Sequence, residues 1–115
     1  MEKVLETIVA ESRAELVETK KLLPASNLEA QLAECSPVLD FFGSLRRPGI
    51  RVIAELKSAS PSKGLIRKDL DIEHTAPELE AAGAAALSVL TEKNFFLGSE
   101  SNLRRARAAV RIPLL

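Results

Sequence analysis

Glu55 and Lys57 stand two residues apart in RVIAELKSASPSKG, residues 51–64, on a segment otherwise rich in Val, Ile, Ala and Leu. Side chains alternate across a β-strand, so the two charges share a face with Arg51 and Ile53, while Val52, Ala54 and Leu56 point to the other, toward covering helices. A carboxylate beside an ammonium can move a proton and stabilise developing charge at one point in space. Burying either charge is costly unless it is paired or wet, so the end of the strand is the place for them. If the strand belongs to a barrel, that end is also where the chemistry sits. The competing reading is a plain ion pair on a half-exposed strand, and spacing alone leaves the two level.

Two loops carry further candidates. In SASPSKG, Ser60, Ser62, Lys63 and the backbone amide of Gly64 could donate to a phosphate, although the P-loop order is absent and the stretch alone reads as an ordinary flexible loop. TEKNFFLGS, residues 91–99, holds Phe95 and Phe96, two of only four aromatics. One could wall a pocket for a ring; the simpler reading is that both plug the outer core. His74 is the sole histidine, near Asp71, Glu73 and Glu78, without a second His or Cys at metal spacing, and reads as a solvated helix residue. One His and one Cys build no nucleophilic triad. The basic run RRARAAVR, residues 104–111, reads as a solvated helix face with its charges near the helix C-terminus.

The elements that must hold these residues follow from periodicity. Val4, Leu5, Ile8, Val9, Leu16 and Val17 predict an amphipathic helix over 2–22, stopped by Pro24. Ser26 and Glu29 form a capping-box pattern for a short second helix with Leu28 and Leu32, ended by Pro37. Asp40 caps a third through Phe41, Phe42 and Leu45, closing at Pro48-Gly49. From residue 50 the pattern changes. Residues 50–56 predict a strand, 57–70 a long loop, 71–82 a helix ending at Gly83, and 85–90 a second buried strand. Residues 91–98 predict a loop. A helix capped by Ser99 or Ser101 then runs to about Val110, and RIPLL begins a third strand. Pro77 should kink its helix or move the start to about Thr75.

Buried strands alternating with helices imply an α/β fold with a parallel sheet, covered on both faces or closed into a barrel. A helical extension, 1–49, precedes this αβ part, 50–115. Three strands leave two open edges, and a barrel takes about 250 residues. The end on Leu115 in mid-strand therefore reads as an incomplete barrel, a piece of a larger protein, rather than as a small three-stranded domain. Open edges predict self-association.

Composition narrows the function. The 115 residues suffice for one small domain. Sixteen basic and sixteen acidic residues balance, which argues against a nucleic-acid or membrane surface. With no Trp or Tyr, the core must be aliphatic and base-stacking platforms are not expected. Cys35 is alone, so no internal disulfide forms; its place beside a short helix suggests a small buried hydrophobe. The N-terminal MEKVLETIVAESRAELVETKK lacks the apolar region of a signal peptide, and a cytoplasmic protein is expected.

VIAELKSASPSKGLIR, EAAGAAALSVLTEKNFFLGS and the closing RIPLL together resemble the first three strands of the indole-3-glycerol-phosphate synthase family. The pattern E-x-K-x-x-S-P-S-K-G followed by S-V-L-T-E…F-x-G-S is specific; the likeness is looser over residues 1–49. Phosphoribosylanthranilate isomerase, another phosphate-binding barrel, usually lacks both this helical extension and the E-x-K-x-x-S-P pattern. The resemblance implies a (β/α)8 TIM barrel. The expected reaction closes the ring of 1-(2-carboxyphenylamino)-1-deoxyribulose 5-phosphate, with loss of carbon dioxide and water. No metal or organic cofactor is implied, and the partner is a small phosphorylated substrate. By the same resemblance Glu55 belongs to the proton-transfer network, and Lys57 contacts the substrate's charges and donates a proton. Ser60 and Pro61 lie at the substrate-binding mouth, and Phe96 packs on the aromatic ring. The family's principal acid, a lysine in a K-D-F-like motif, would fall just past Leu115, so the 115 residues alone are expected to be inactive.

Overall fold

Small and β-branched apolar residues set the architecture of residues 50–115, and charged residues that of the segment before them. The structure, a computed structural model, describes residues 2–115. Two compact units divide the chain, Met1–Val38 and Leu39–Leu115.

The first unit is helical. α1 spans Glu2–Leu22, α2 Ala25–Gln31, and a 3-10 turn Leu32–Glu34 follows. Lys20 and Lys21 sit in the last turn of α1, where cations oppose the exposed carbonyls. The capping box on Ser26 does not form. α2 starts directly after Pro24, whose extended backbone (ψ 152°) and carbonyl open the first turn, so Ser26 already lies inside the helix. Pro loses no hydrogen bond at a helix entry, which makes a side-chain cap dispensable there. Cys35 is exposed rather than buried; its thiol donates to the Gln31 carbonyl at 3.5 Å. The unit is too small to enclose it, and neither α2 nor the 3-10 turn has a buried residue.

The second unit begins with α3, Phe41–Arg46, capped by Asp40, whose side chain accepts from the Gly43 N–H at 2.8 Å. The strands follow as β1 (Ile53–Leu56) and β4 (Ala86–Val89), paired in parallel with Glu55 opposite Ser88. Residues 113–115 add on the far side of β4: the Leu115 N–H donates to the Leu87 carbonyl at 2.8 Å and the Leu87 N–H to the Pro113 carbonyl at 3.0 Å. β4 is therefore central, and β1 keeps a free edge. The helices are α4, Ile72–Ala81, and α5, Glu100–Ala109. This alternation of helices with parallel strands is the topology of part of a TIM-like barrel.

Three boundaries differ from the sequence reading. β1 starts at Ile53 rather than at residue 50, where its register with β4 begins opposite Ala86; Val52 lends its carbonyl to the Ala85 N–H but is 52% exposed, outside the core. The stretch 57–70 is not all loop but contains a short antiparallel hairpin, β2 (Ala59–Ser60) with β3 (Gly64–Leu65). Pro77 does not displace the start of α4. Asp71 caps that helix by accepting from the His74 N–H at 3.1 Å, and buried Ile72 and Ala76 hold the first turns against the sheet. These contacts outweigh the hydrogen bond that Pro77 cannot donate.

One face of the sheet forms the core. Leu56, Leu87 and Val89 pack with Ile72, Ala76, Ala106 and Val110. Ala76 and Ala106 are fully buried, and such small side chains let both helices lie close to the strands. Burying Leu87 alone is worth about 1.5–3 kcal/mol. α4 ends in a Schellman motif: the Gly83 N–H reaches the Glu80 carbonyl and the Ala84 N–H the Leu79 carbonyl, with Gly83 at φ 101°. The Glu80 carboxylate accepts from the N–H groups of Arg111 and Ile112, so α4 also holds the chain that leads into residues 113–115.

Candidate functional site

Alternation along β1 sends Leu56 into the core and leaves Glu55 and Lys57 on the opposite face, away from α4 and α5. The Lys57 ammonium lies 3.1 Å from Glu55 Oε1. Register with β4 supplies a third member: Ser88 sits opposite Glu55, and its Oγ donates to Glu55 Oε2 at 3.0 Å. Both carboxylate oxygens are thus engaged, one by an ammonium and one by a hydroxyl. The Lys57 side chain is 34% exposed and that of Glu55 43%, so the pair is open to solvent and to a ligand. An ion pair this wet contributes at most about 1 kcal/mol to stability. What it fixes is the direction of two functional groups.

The remaining candidates lie on the loops that leave the same, carboxyl ends of β1 and β4. Ser60 is buried at the hairpin, where its Oγ accepts from the Lys63 N–H at 3.2 Å and lies 3.4 Å from Ser62 Oγ. It shapes the turn, and these bonds do not join it to Glu55 or Lys57. Pro61 is exposed at the tip between β2 and β3. Phe95 and Phe96 are half-buried in the loop after β4. Among the sequence candidates, then, the structure brings Glu55 and Lys57 into contact and sets Ser60, Pro61 and Phe96 on neighbouring loops.

Sequence reasoning missed Ser88 and Glu92. Ser88 is the one polar residue of ALSV, on a strand whose burial pattern otherwise demands carbon; that mismatch was its signal. Glu92 accepts three backbone N–H groups, from Asn94 and Phe95 at 2.7 Å each and from Phe96 at 3.0 Å. Partial burial pushes its carboxyl up, yet these three donors, with the nearby Lys93 charge, outweigh it and hold the group below the ordinary value of 4.5. On the outer surface Glu73 is also lowered, chiefly by its hydrogen bond with Arg105, which is raised in return; this pair ties α4 to α5 and is structural.

His74 is solvated on α4, its Nε2 3.3 Å from Glu78. The basic run is a solvated face as well, with Arg107 donating to the Val110 carbonyl. A cleft of about 440 Å³ lies at the other end of the sheet, lined by Asp40, Arg47, Arg51, Ala84, Arg111 and Pro113 among others. Its lining residues Arg51 and Ala84 lie just before β1 and β4, at the amino ends of the strands, whereas Glu55 and Lys57 lie at the carboxyl end of β1. Among the described residues, no helix is long and apolar enough to cross a membrane.

Residues 5–115 match the family model for indole-3-glycerol phosphate synthase. The indole-3-glycerol phosphate synthase of Koribacter versatilis is 47% identical over 118 residues, covering all of this chain and 45% of that protein. The Neisseria meningitidis enzyme is 44% identical over 119 residues, covering the whole chain and 46% of its own length. That of Endomicrobium trichonymphae is 43% identical over 114 residues, covering 97% of the chain and 44% of the relative. The chain thus spans a little under half the length of these relatives. With a family match that runs over residues 5–115, the chain belongs to the indole-3-glycerol phosphate synthase family.

Proposed function

We propose that this chain supplies the first three strands of an indole-3-glycerol-phosphate synthase barrel, preceded by a helical extension. In that enzyme, 1-(2-carboxyphenylamino)-1-deoxyribulose 5-phosphate closes to indole-3-glycerol phosphate with loss of carbon dioxide and water. The observation that carries the reading is the Glu55–Lys57 pair on the face of β1 opposite the helices, at the carboxyl end of the strand.

The chemistry needs positive charge and a proton where carbon attacks the ketone. Lys57 offers both, and it attracts a substrate that carries a carboxylate and a phosphate. Glu55 keeps the ammonium in place and relays protons, with Ser88 fixing its second oxygen. Ser60 and Pro61 shape the loop at the mouth, and Phe96 gives the aromatic ring an apolar wall. The 115 residues alone do not turn over substrate in this reading, since more than half the length of the relatives lies outside the matching segment. The free edge of β1 would then pair with a second copy of the isolated polypeptide, which sedimentation tests: a concentration-independent monomer contradicts it.

The test of the main reading is a chimera in which this chain replaces the matching segment of the Koribacter versatilis enzyme. Formation of indole-3-glycerol phosphate at a rate within about tenfold of the parent supports it. A folded chimera that binds substrate but makes no product overturns it.

A further inference from the structure

The loop 91–98 leaves β4 at the end of the sheet that carries Glu55 and Lys57, and runs into α5. Its sequence, TEKNFFLG, forms no helix or strand. A single residue closes it. Glu92 Oε1 accepts from the Asn94 N–H, Oε2 accepts from those of Phe95 and Phe96, and the Glu92 carbonyl accepts from the Gly98 N–H at 2.8 Å. Leu97 turns the chain at φ 53°, a left-handed conformation that a residue with a side chain adopts only when its neighbours enforce it. Gly98 then presses on the Leu90 carbonyl so closely that an added Cβ would lie 2.0 Å from its oxygen. Ser99 caps α5 by accepting from the Asn102 N–H.

We infer that Glu92 is a positioning residue: its carboxylate fixes the backbone of Phe95 and Phe96 and so places the wall on which the substrate's aromatic ring packs. The inference rests on the reading of Phe96 under the proposed function. It goes further by naming the group that orients this residue. The donors that hold both carboxylate oxygens of Glu92 are backbone N–H groups, which pass no proton on, unlike the ammonium and hydroxyl at Glu55; this assigns Glu92 to holding the loop. Lys93, next in the chain, is the cation that lowers its carboxyl along with the three N–H groups. Because the folded-state value lies below the unfolded one, the clamp's stabilisation is fully present above the unfolded value. It is lost as pH falls through the folded value.

Two measurements test this. In the full chain, the amide signals of Asn94, Phe95 and Phe96 should titrate together, with one midpoint below that of an ordinary glutamate, and Glu92→Gln should abolish that titration. Amides that fail to move together, or that behave alike in Glu92→Gln, overturn the inference whether or not the synthase reading holds. In the chimera, Glu92→Ala should raise KM about tenfold with kcat nearly unchanged, the signature of lost ring packing in ground and transition states alike. Glu92→Gln keeps one acceptor oxygen for these N–H groups and should fall between. A loss confined to kcat, or no change in KM, overturns the positioning role. A parent chimera without any activity counts against the synthase reading, and the amide titration then decides the clamp.

Discussion

The two faces of β1 and β4 are made by alternate residues of the same short strands, yet they obey different rules. On the helix-covered face, Leu56, Leu87 and Val89 meet Ile72, Ala76 and Ala106, and every side chain there is carbon. On the opposite face, Glu55, Lys57 and Ser88 form a hydrogen-bonded cluster that solvent reaches. Burial free energy holds the first face together, whereas the second adds little to stability, since an exposed pair and one hydroxyl bond sum to about 1–2 kcal/mol. Residues that a fold does not need for stability, at the end of a strand where ligands bind, are candidates for function. The division is sharp because the period of a strand is two: shifting the register by one residue would bury the charges and expose the core.

Substitutions should respect this division. The largest effect on stability is expected at Leu87, which is fully buried in the central strand. Leu87→Ala should cost about 2–5 kcal/mol, read as a lower urea midpoint. Gly98→Ala comes next, because the added methyl meets the Leu90 carbonyl, a backbone atom that cannot step aside. A cost of about 1–3 kcal/mol is expected, with slow-exchange protection lost first in the amides of residues 94–98. Ser88→Ala should matter least to the fold. It frees one oxygen of Glu55, and in the chimera kcat/KM should fall by about tenfold or less, the worth of one hydrogen bond, while the urea midpoint stays put.

Much of this arrangement could be read from the chain. The apolar runs around IAEL and ALSV announced both strands, alternation set the faces of the first, Asp40 announced one helix cap, and Ser99 was one of two candidates for another. Gly83 announced an end. The opposed charges at 55 and 57 were legible because period two puts them on one side. What stayed hidden depends on contacts between distant residues. The edge of β1 at Ile53 is set by where β4 begins, and nothing in residues 50–52 encodes that. Ser26 had the cap signature, but Pro24 had already started the helix. Ser88 acquires its meaning only when register sets it opposite Glu55, 33 residues earlier. Glu92 stood in the sequence only as part of the S-V-L-T-E pattern; its role lies in the backbone N–H groups that follow it, which no residue type reveals.

Leu56 and Lys57 are neighbours in sequence on opposite faces, so they test the central claim most directly. In the chimera, kcat and the urea midpoint should be measured for Leu56→Ala and Lys57→Met side by side. Lys57→Met should lose about 10²–10⁴-fold in kcat at an unchanged midpoint. Leu56→Ala should lower the midpoint by the equivalent of about 2–5 kcal/mol while its folded fraction keeps kcat. Two variants that lose stability together, or a Lys57→Met that turns over like its parent, would contradict the assignment of the charged face to the substrate.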